Sequence, residues 1–198
     1  MTQEERILKL LEGSAFIRPR DIMKHDLPRT ALMRLVRKGR IIRVERGLYM
    51  LPGGPETEHF SLLEVAKRVP DAVICLLTAL RFHGLGTQEP YQVWIAIDRK
   101  SKKPRIDGTL VRIVRFSGAS LSYGIEKHDI HGTVLKVTSP AKTVADCFKY
   151  RNKVGLDVAL EALKDGFRSR KFGPEELYRA AQVCRIWKVV KPYAEALV

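Results

Sequence analysis

The feature that most constrains the fold is an abrupt change from helical to β-type patterning near residue 39. Apolar residues repeat at helical spacing over residues 3–12, and a third helix is predicted between Pro28 and Gly39, with a short helix between them. Two β-prone runs then flank a turn at residues 45–47, which predicts a hairpin. Three helices followed by a β-hairpin predict a winged helix-turn-helix, the first domain, over residues 1–54.

The second half of the chain has a mixed pattern. Residues 52–55 read Pro-Gly-Gly-Pro and form the clearest linker, so a second domain is predicted over residues 55–198. In this domain the apolar run Val73–Leu85 predicts one buried helix. Strands are predicted at 91–97, 110–116, 126–130 and 134–138, and helices at 139–148, 156–167, 174–184 and 187–197. The predicted fold class is α+β, a winged helix-turn-helix followed by a mixed α+β C-terminal domain with several helices at its end.

The third predicted helix has two chemically different faces. Leu32, Leu35 and Val36 fall on one side and are expected to face the core, whereas Thr and Arg residues fall on the other. Arg can donate two hydrogen bonds to guanine in the major groove, and the N-terminal part of a recognition helix contacts base edges. The candidates for base contacts are Arg29, Thr30, Met33 and Arg34. Arg37 and Lys38, nearer the helix end, are predicted to contact phosphate.

The charge of the chain also favours a polyanionic partner. The net charge is +14, from 36 Lys and Arg against 22 Asp and Glu, and residues 18–46 hold ten of these cations against three acids. Further predicted DNA contacts are Arg18 and Arg20 at the second helix and Arg43 and Arg46 on the hairpin. Residues 99–105 form another basic cluster. Its Lys100, Lys102 and Lys103 belong either to a solvated loop or to an auxiliary contact with the DNA backbone.

Other classes of function have weaker support. Asp98-Arg99-Lys100 has the D-x-K end of a PD-(D/E)xK nuclease, but no upstream acid lies on a convincing strand. His128, Asp129 and His131 are too few for a good zinc site. The chain is therefore predicted not to be an enzyme, with no catalytic residue, no metal and no cofactor. Structured RNA remains an alternative target, because a winged helix can also bind it.

The composition predicts a cytoplasmic protein without a membrane partner. No apolar run approaches the roughly 20 residues that span a bilayer, and the first residues lack the apolar core of a secretory signal. The three cysteines, Cys75, Cys147 and Cys184, are far apart and lie among apolar neighbours. They are expected to be reduced thiols of the core.

Four strings resemble the AbiEi antitoxins in order and spacing, and the resemblance covers nearly the whole chain. They are Leu35–Tyr49 (LVRKGRIIRVERGLY), Leu77–Leu85 (LTALRFHGL), Val93–Ala96 (VWIA) and Thr138–Asp146 (TSPAKTVAD). The AbiEi antitoxins are the predicted transcriptional regulators of abortive-infection toxin–antitoxin systems, which act in viral defence. The resemblance implies a winged helix that represses its own operon by binding inverted repeats in the promoter. It also implies that the C-terminal domain, residues 55–198, is an AbiEi-like antitoxin domain.

The resemblance also implies a functional partner. That partner is an AbiEii-type nucleotidyltransferase toxin, neutralised without a stable toxin–antitoxin complex in the systems called type IV. A solitary winged-helix regulator without a toxin is the alternative.

Overall fold

The structure of the protein is a computed structural model that describes residues 1–54, 57–106 and 108–197. The chain divides into two compact units. The first comprises Met1–Pro70 with Ile106–Thr109 and Asp129–Leu135, and the second comprises Asp71–Arg105, Leu110–His128 and Lys136–Val198. Pro55 of the predicted linker lies outside the described residues, and the domain boundary after residue 54 stays a prediction.

The first unit begins with the predicted winged helix. Helices α1 (Gln3–Glu12), α2 (Pro19–Met23) and α3 (Arg29–Arg37) precede a hairpin of β1 (Ile42–Glu45) and β2 (Leu48–Met50). Ile17, ahead of α2, and Tyr49 of β2 exchange backbone hydrogen bonds of 2.8 and 3.0 Å, so the wing is tied to the helices. One apolar core joins these elements, with Ile7, Leu11, Ile17, Ile22, Leu27, Ala31, Leu32, Leu35, Ile41 and Tyr49 buried.

Helix α4 (Phe60–Arg68) belongs to the same unit, although it lies beyond the predicted linker. The ring of Phe60 meets that of Phe16 edge to face, with centroids 5.1 Å apart. At the other end of α4, the guanidinium of Arg68 forms ion pairs with Glu45 of β1 and with Glu64. These contacts join α4 to the wing.

The next elements are β3 (Val73–Ile74), α5 (Leu76–His83), β4 (Val93–Asp98), β5 (Val111–Phe116), α6 (Ala119–Ser122), β6 (Ile125–Ile130) and β7 (Thr133–Thr138). The strands form a mixed sheet with the order β5-β4-β3-β7-β6, and all of it except Asp129–Leu135 belongs to the second unit. Strand β3 pairs antiparallel with β4 and parallel with β7, and β4 pairs parallel with β5. The helices that follow are α7 (Pro140–Lys149), α8 (Arg151–Val154), α9 (Leu156–Arg168), α10 (Pro174–Val183) and α11 (Trp187–Glu195). The α+β class is therefore confirmed.

One element prediction was wrong. The run Val73–Leu85 is not a single helix, because Ile74 pairs with Ile95 on one side and with Val137 on the other. The chain turns at Leu76, whose φ of 50° is left-handed, and only then becomes helical. A continuous apolar run fits a buried strand as well as a buried helix. Tertiary pairing with two neighbouring strands decides between them here.

An ion pair lies inside the core of the second unit. Lys142 and Asp146 of α7 are both fully buried, with Nζ and Oδ2 2.5 Å apart. The Lys142 ammonium also lies 4.7 Å from the centroid of the Phe116 ring, and Cys184 Sγ donates to Asp146 Oδ1 over 3.2 Å. Burial raises the pKa of Asp146, although the charge of Lys142 acts in the opposite direction. The carboxylate thus depends on these partners to stay ionised.

We expect each single replacement of this pair, Lys142→Met or Asp146→Leu, to lower the free energy of unfolding by about 3–5 kcal/mol, because it leaves the other charge buried alone. The double variant should recover most of that loss. Urea unfolding followed by tryptophan fluorescence is the measurement, since both tryptophans, Trp94 and Trp187, lie in the second unit.

The matched control is Lys191→Met, which breaks an exposed pair with Glu195 at the same i,i+4 spacing. It should change the unfolding free energy by about 0.5 kcal/mol or less. A double variant as unstable as the worse single variant would show that the pair is not the source of the loss.

Candidate nucleic-acid interface

Helix α3 separates its apolar and polar side chains as its sequence predicts. Ala31, Leu32 and Leu35 are buried in the core. The exposed residues of α3 and its C-cap include Arg29, Thr30, Arg34, Arg37 and Lys38. Met33 differs from the other predicted base contacts, since it is half-buried and packs against the core. The helix therefore presents a cationic surface with Met33 at its edge.

Part of this cationic surface is paired within the unit. Glu4 of α1 accepts a hydrogen bond of 2.8 Å from Lys38 Nζ, and its other oxygen lies 3.4 Å from Arg34 Nε. The hydrogen bond from Lys38 lowers the pKa of Glu4. Arg34 and Lys38 still have side chains that are 53% and 59% exposed. They are held in place by Glu4 but remain open to an incoming partner.

The wing also presents arginines to solvent. Arg43 and Arg46 are exposed, and Arg43 Nε donates to the Glu45 carbonyl over 3.2 Å. The turn between the strands needs Gly47, whose φ is 80°. The carboxylate of Glu45 contacts Arg68 rather than the wing arginines. The positive charge of the hairpin tip is therefore not cancelled by its own acid.

Arg18 and Arg20, both predicted as DNA contacts, have different surroundings. Arg20 is exposed. Arg18 has a side chain that is only 16% exposed, forms an ion pair with Asp21, and donates to the Lys67 carbonyl of α4. Partial burial raises the pKa of Asp21, but the hydrogen bond from Arg18 and the charge of Lys67 lower it overall. Arg18 thereby joins α2 to α4.

The basic loop of the second unit has a fixed backbone. Arg115 of β5 donates from Nη1 to the carbonyls of Asp98, Arg99 and Ser101, over 3.1, 2.9 and 2.7 Å. Asp98 Oδ1 accepts from the Lys100 backbone N–H over 2.7 Å. Lys100, Lys102 and Lys103 are exposed. Residues 98–101 of the loop are therefore held by side-chain hydrogen bonds, and Lys100 lies in this held part.

The residues considered for metal chemistry have other contacts. Asp98 supports the basic loop, His128 lies 3.2 Å from Glu126, and His131 occupies the turn between β6 and β7. Among the described residues, no group of three or more His, Cys, Asp or Glu side chains could hold a metal ion.

Residues 5–52 match the family model described as "Transcriptional regulator, AbiEi antitoxin". This segment covers α1, α2, α3 and the wing, which carry most of the predicted contacts. The matched family consists of regulators and antitoxins and is generally non-enzymatic.

The fold is similar to the crystal structure of the Rv2827c protein from Mycobacterium tuberculosis. The TM-score is 0.63 over 99% of this chain and 77% of that chain, with 14% sequence identity. At this identity the likeness shows the fold alone. No curated protein matches the sequence. None of the described helices is long and apolar enough to cross a membrane.

Sequence reasoning missed the residues that hold the matched segment and the loop in shape. Glu4, Lys67 and Arg115 organise α3, α2 and the basic loop, respectively. Lys67 lies 49 residues from Arg18, and Arg115 lies 16 residues from Arg99. Because no local pattern connects residues so far apart, only the folded chain reveals these partners.

Proposed function

We propose that this protein is a transcriptional repressor that binds double-stranded DNA in a sequence-specific way. The observation that carries the proposal is α3, a helix of a winged fold whose apolar face is buried while its other face is cationic. The match of residues 5–52 to a family of transcriptional regulators supports it. In such folds the recognition helix lies in the major groove and the wing contacts the backbone or the minor groove.

The side chains would divide between two kinds of contact. Arg29, Thr30 and Arg34 of α3 would contact base edges, with Met33 beside them. Phosphates would be contacted by Arg20, Arg37, Lys38, Arg43 and Arg46. Arg18 was also predicted to contact DNA. Its ion pair with Asp21 and its hydrogen bond to the Lys67 carbonyl instead favour a role in holding α2 in position.

We further propose that the protein is the antitoxin of an AbiE-type system of viral defence, which represses its own operon through inverted repeats in the promoter. The description of the matched family supports this proposal. The functional partner would be an AbiEii-type nucleotidyltransferase, neutralised without a stable complex in the cytoplasm. Co-expression with a nucleotidyltransferase encoded next to it tests this: cells rescued from growth arrest support the antitoxin, and cells that stay arrested favour a solitary regulator.

Arg34 and the wing arginines should have different effects on DNA binding. Arg34→Ala should weaken binding to the preferred duplex by about 1–3 kcal/mol and flatten the preference at one base pair, because base contacts specify sequence. Arg43→Ala or Arg46→Ala should weaken binding to all duplexes about equally and reduce the salt slope by roughly one unit each. The measurement is fluorescence anisotropy, on a duplex selected from a random pool and on a scrambled one.

The control for these variants is Arg168→Ala, which removes an exposed arginine of the second unit. Unchanged affinity and sequence preference for Arg34→Ala would contradict the assignment of α3. Tighter binding of the matching RNA duplex at the same salt concentration would redirect the proposal to RNA.

Glu4→Gln should tighten DNA binding, because Arg34 and Lys38 would no longer have to break ion pairs with Glu4 before they contact DNA. Exposed ion pairs are weak, so the gain in affinity should be at most about fivefold at low salt. Glu12→Gln, at the other end of α1, removes the same charge from an exposed acid and is the matched control.

The gain from Glu4→Gln should also shrink in an Arg34→Ala, Lys38→Ala background, as a double-mutant cycle would measure. An equal gain from Glu12→Gln would mean that net charge, not the pairing with Glu4, sets the affinity.

The basic loop is proposed to touch the DNA backbone beside the operator. Changing Lys100, Lys102 and Lys103 together to Gln should lower the salt slope between about 50 and 200 mM by roughly two to three units, with the preferred sequence unchanged. Because Arg115 holds backbone carbonyls, the loop should keep its shape in this variant. Lys164, Lys171 and Lys188, all exposed, provide a control triple.

An unchanged slope together with lost protection against a co-expressed toxin would assign the loop to toxin neutralisation instead.

A further inference from the structure

The second unit contains a cleft of about 320 Å³ that the proposed DNA interface does not use. Its lining includes the segment Gln88–Gln92 ahead of β4, Trp94 on β4, Arg112 on β5 and Lys153 on α8. A volume of this size is in the range of small-molecule sites, which run from about 300 to 1,000 Å³. The cleft is too small for a duplex but large enough for a compact ligand.

The floor of the cleft is formed before any ligand arrives. Trp94 and Arg112 are directly opposite each other on parallel strands, and the guanidinium carbon lies 5.2 Å from the indole centroid. Buried Thr78 holds the segment ahead of β4: its Oγ1 accepts from the Trp94 N–H over 2.8 Å and donates to the Gln92 carbonyl over 3.4 Å. The guanidinium of Arg112 is therefore oriented by the Trp94 ring, whose backbone is held by Thr78.

The cleft combines an exposed ring with available cations. Tyr91 is 82% exposed, so its ring is accessible to a stacking partner. In the part of the chain that the structure describes, Arg112 and Lys153 make ring contacts but have no ion-pair partner. The acid of the cleft, Glu89, forms an ion pair with Arg81 over 2.9 Å. The cleft therefore keeps a positive charge beside an open π-face.

We propose that this cleft binds a nucleoside phosphate. The base would stack on Tyr91, and the phosphate would accept charge-assisted hydrogen bonds from Arg112 and Lys153. The side-chain amides of Gln88 and Gln92 each offer a donor and an acceptor to the edge of the base. An inorganic anion would use the cations but leave the ring uncovered, whereas a nucleoside would leave the cations without a partner. This proposal goes beyond the DNA-binding function and does not depend on it.

Titration of the full chain with AMP, GMP, CMP and UMP tests the proposal. Isothermal titration calorimetry gives the affinity, and Trp187→Phe leaves Trp94 as the only tryptophan, so that quenching reports on the cleft. At least one nucleotide should bind, and its nucleoside and inorganic phosphate should each bind at least roughly tenfold more weakly.

Variants of exposed residues then locate the site. Arg112→Gln should weaken nucleotide binding roughly tenfold or more and Lys153→Gln about threefold, because each removes a charged donor. Tyr91→Ala should weaken it about fivefold or more, and Tyr91→Phe, which keeps the ring, should restore it. Lys188→Gln, an exposed lysine of α11, is the control and should have no effect.

The proposal would be overturned by no binding of any of the four nucleotides at about 5 mM, by equal affinity for nucleoside and nucleotide, or by equal losses of affinity in Lys188→Gln and Arg112→Gln. A single-stranded oligonucleotide that binds through Tyr91 and Arg112 when mononucleotides do not would also overturn it. Arg34→Ala should leave nucleotide binding intact, so a failure of the DNA-binding proposal is distinguishable from a failure of this one.

Discussion

Burial of one face of α3 is the constraint on which the nucleic-acid interface depends. Leu32 and Leu35 are almost completely buried, together with Ile7 and Leu11 of α1 and Tyr49 of the wing. Because a helix turns by about 100° per residue, fixing these leucines inward fixes Arg34 and Arg37 outward. The orientation of the cationic surface is thus a consequence of core packing, and no contact with DNA is needed to create it.

The arginines of this protein divide into two groups that composition cannot separate. Arg18, Arg68 and Arg115 make hydrogen bonds or ion pairs that join elements within one unit, so their charge contributes to the fold. Arg43 and Arg46 are exposed on the wing. A count of Lys and Arg over residues 18–46 treats Arg18 in the same way as Arg43 and Arg46. Net charge predicts a polyanionic partner, but only the folded chain shows which arginines are left exposed to one.

The elements that were predictable are those with a clear local period or a clear stop signal. The helix between Pro28 and Gly39, the wing around Gly47 and the strands at residues 93–98 and 111–116 follow from such signals. The boundary between strand and helix within Val73–Leu85 did not follow from the sequence, because residues 73–80 are almost all apolar. The strand exists only through its pairing with Ile95 and Val137. The cleft was invisible for a related reason: Tyr91, Arg112 and Lys153 are scattered along the sequence and meet only after folding.

The pairing of Arg34 and Lys38 with Glu4 bears on how the proposed repressor would discriminate between sequences. Both cations pair with Glu4, so a bound duplex would have to separate them from it whether or not its sequence is the preferred one. A preferred site would replace the lost pair with a bidentate contact between Arg34 and guanine, whereas another site offers only phosphate. The same separation would therefore weaken binding to all duplexes. Only a few of them would offer a base contact that compensates for the lost ion pair. A single carboxylate on α1 would in this way lower the affinity for every duplex by a similar factor, and the preference for one sequence would come from the base contacts of Arg34 alone.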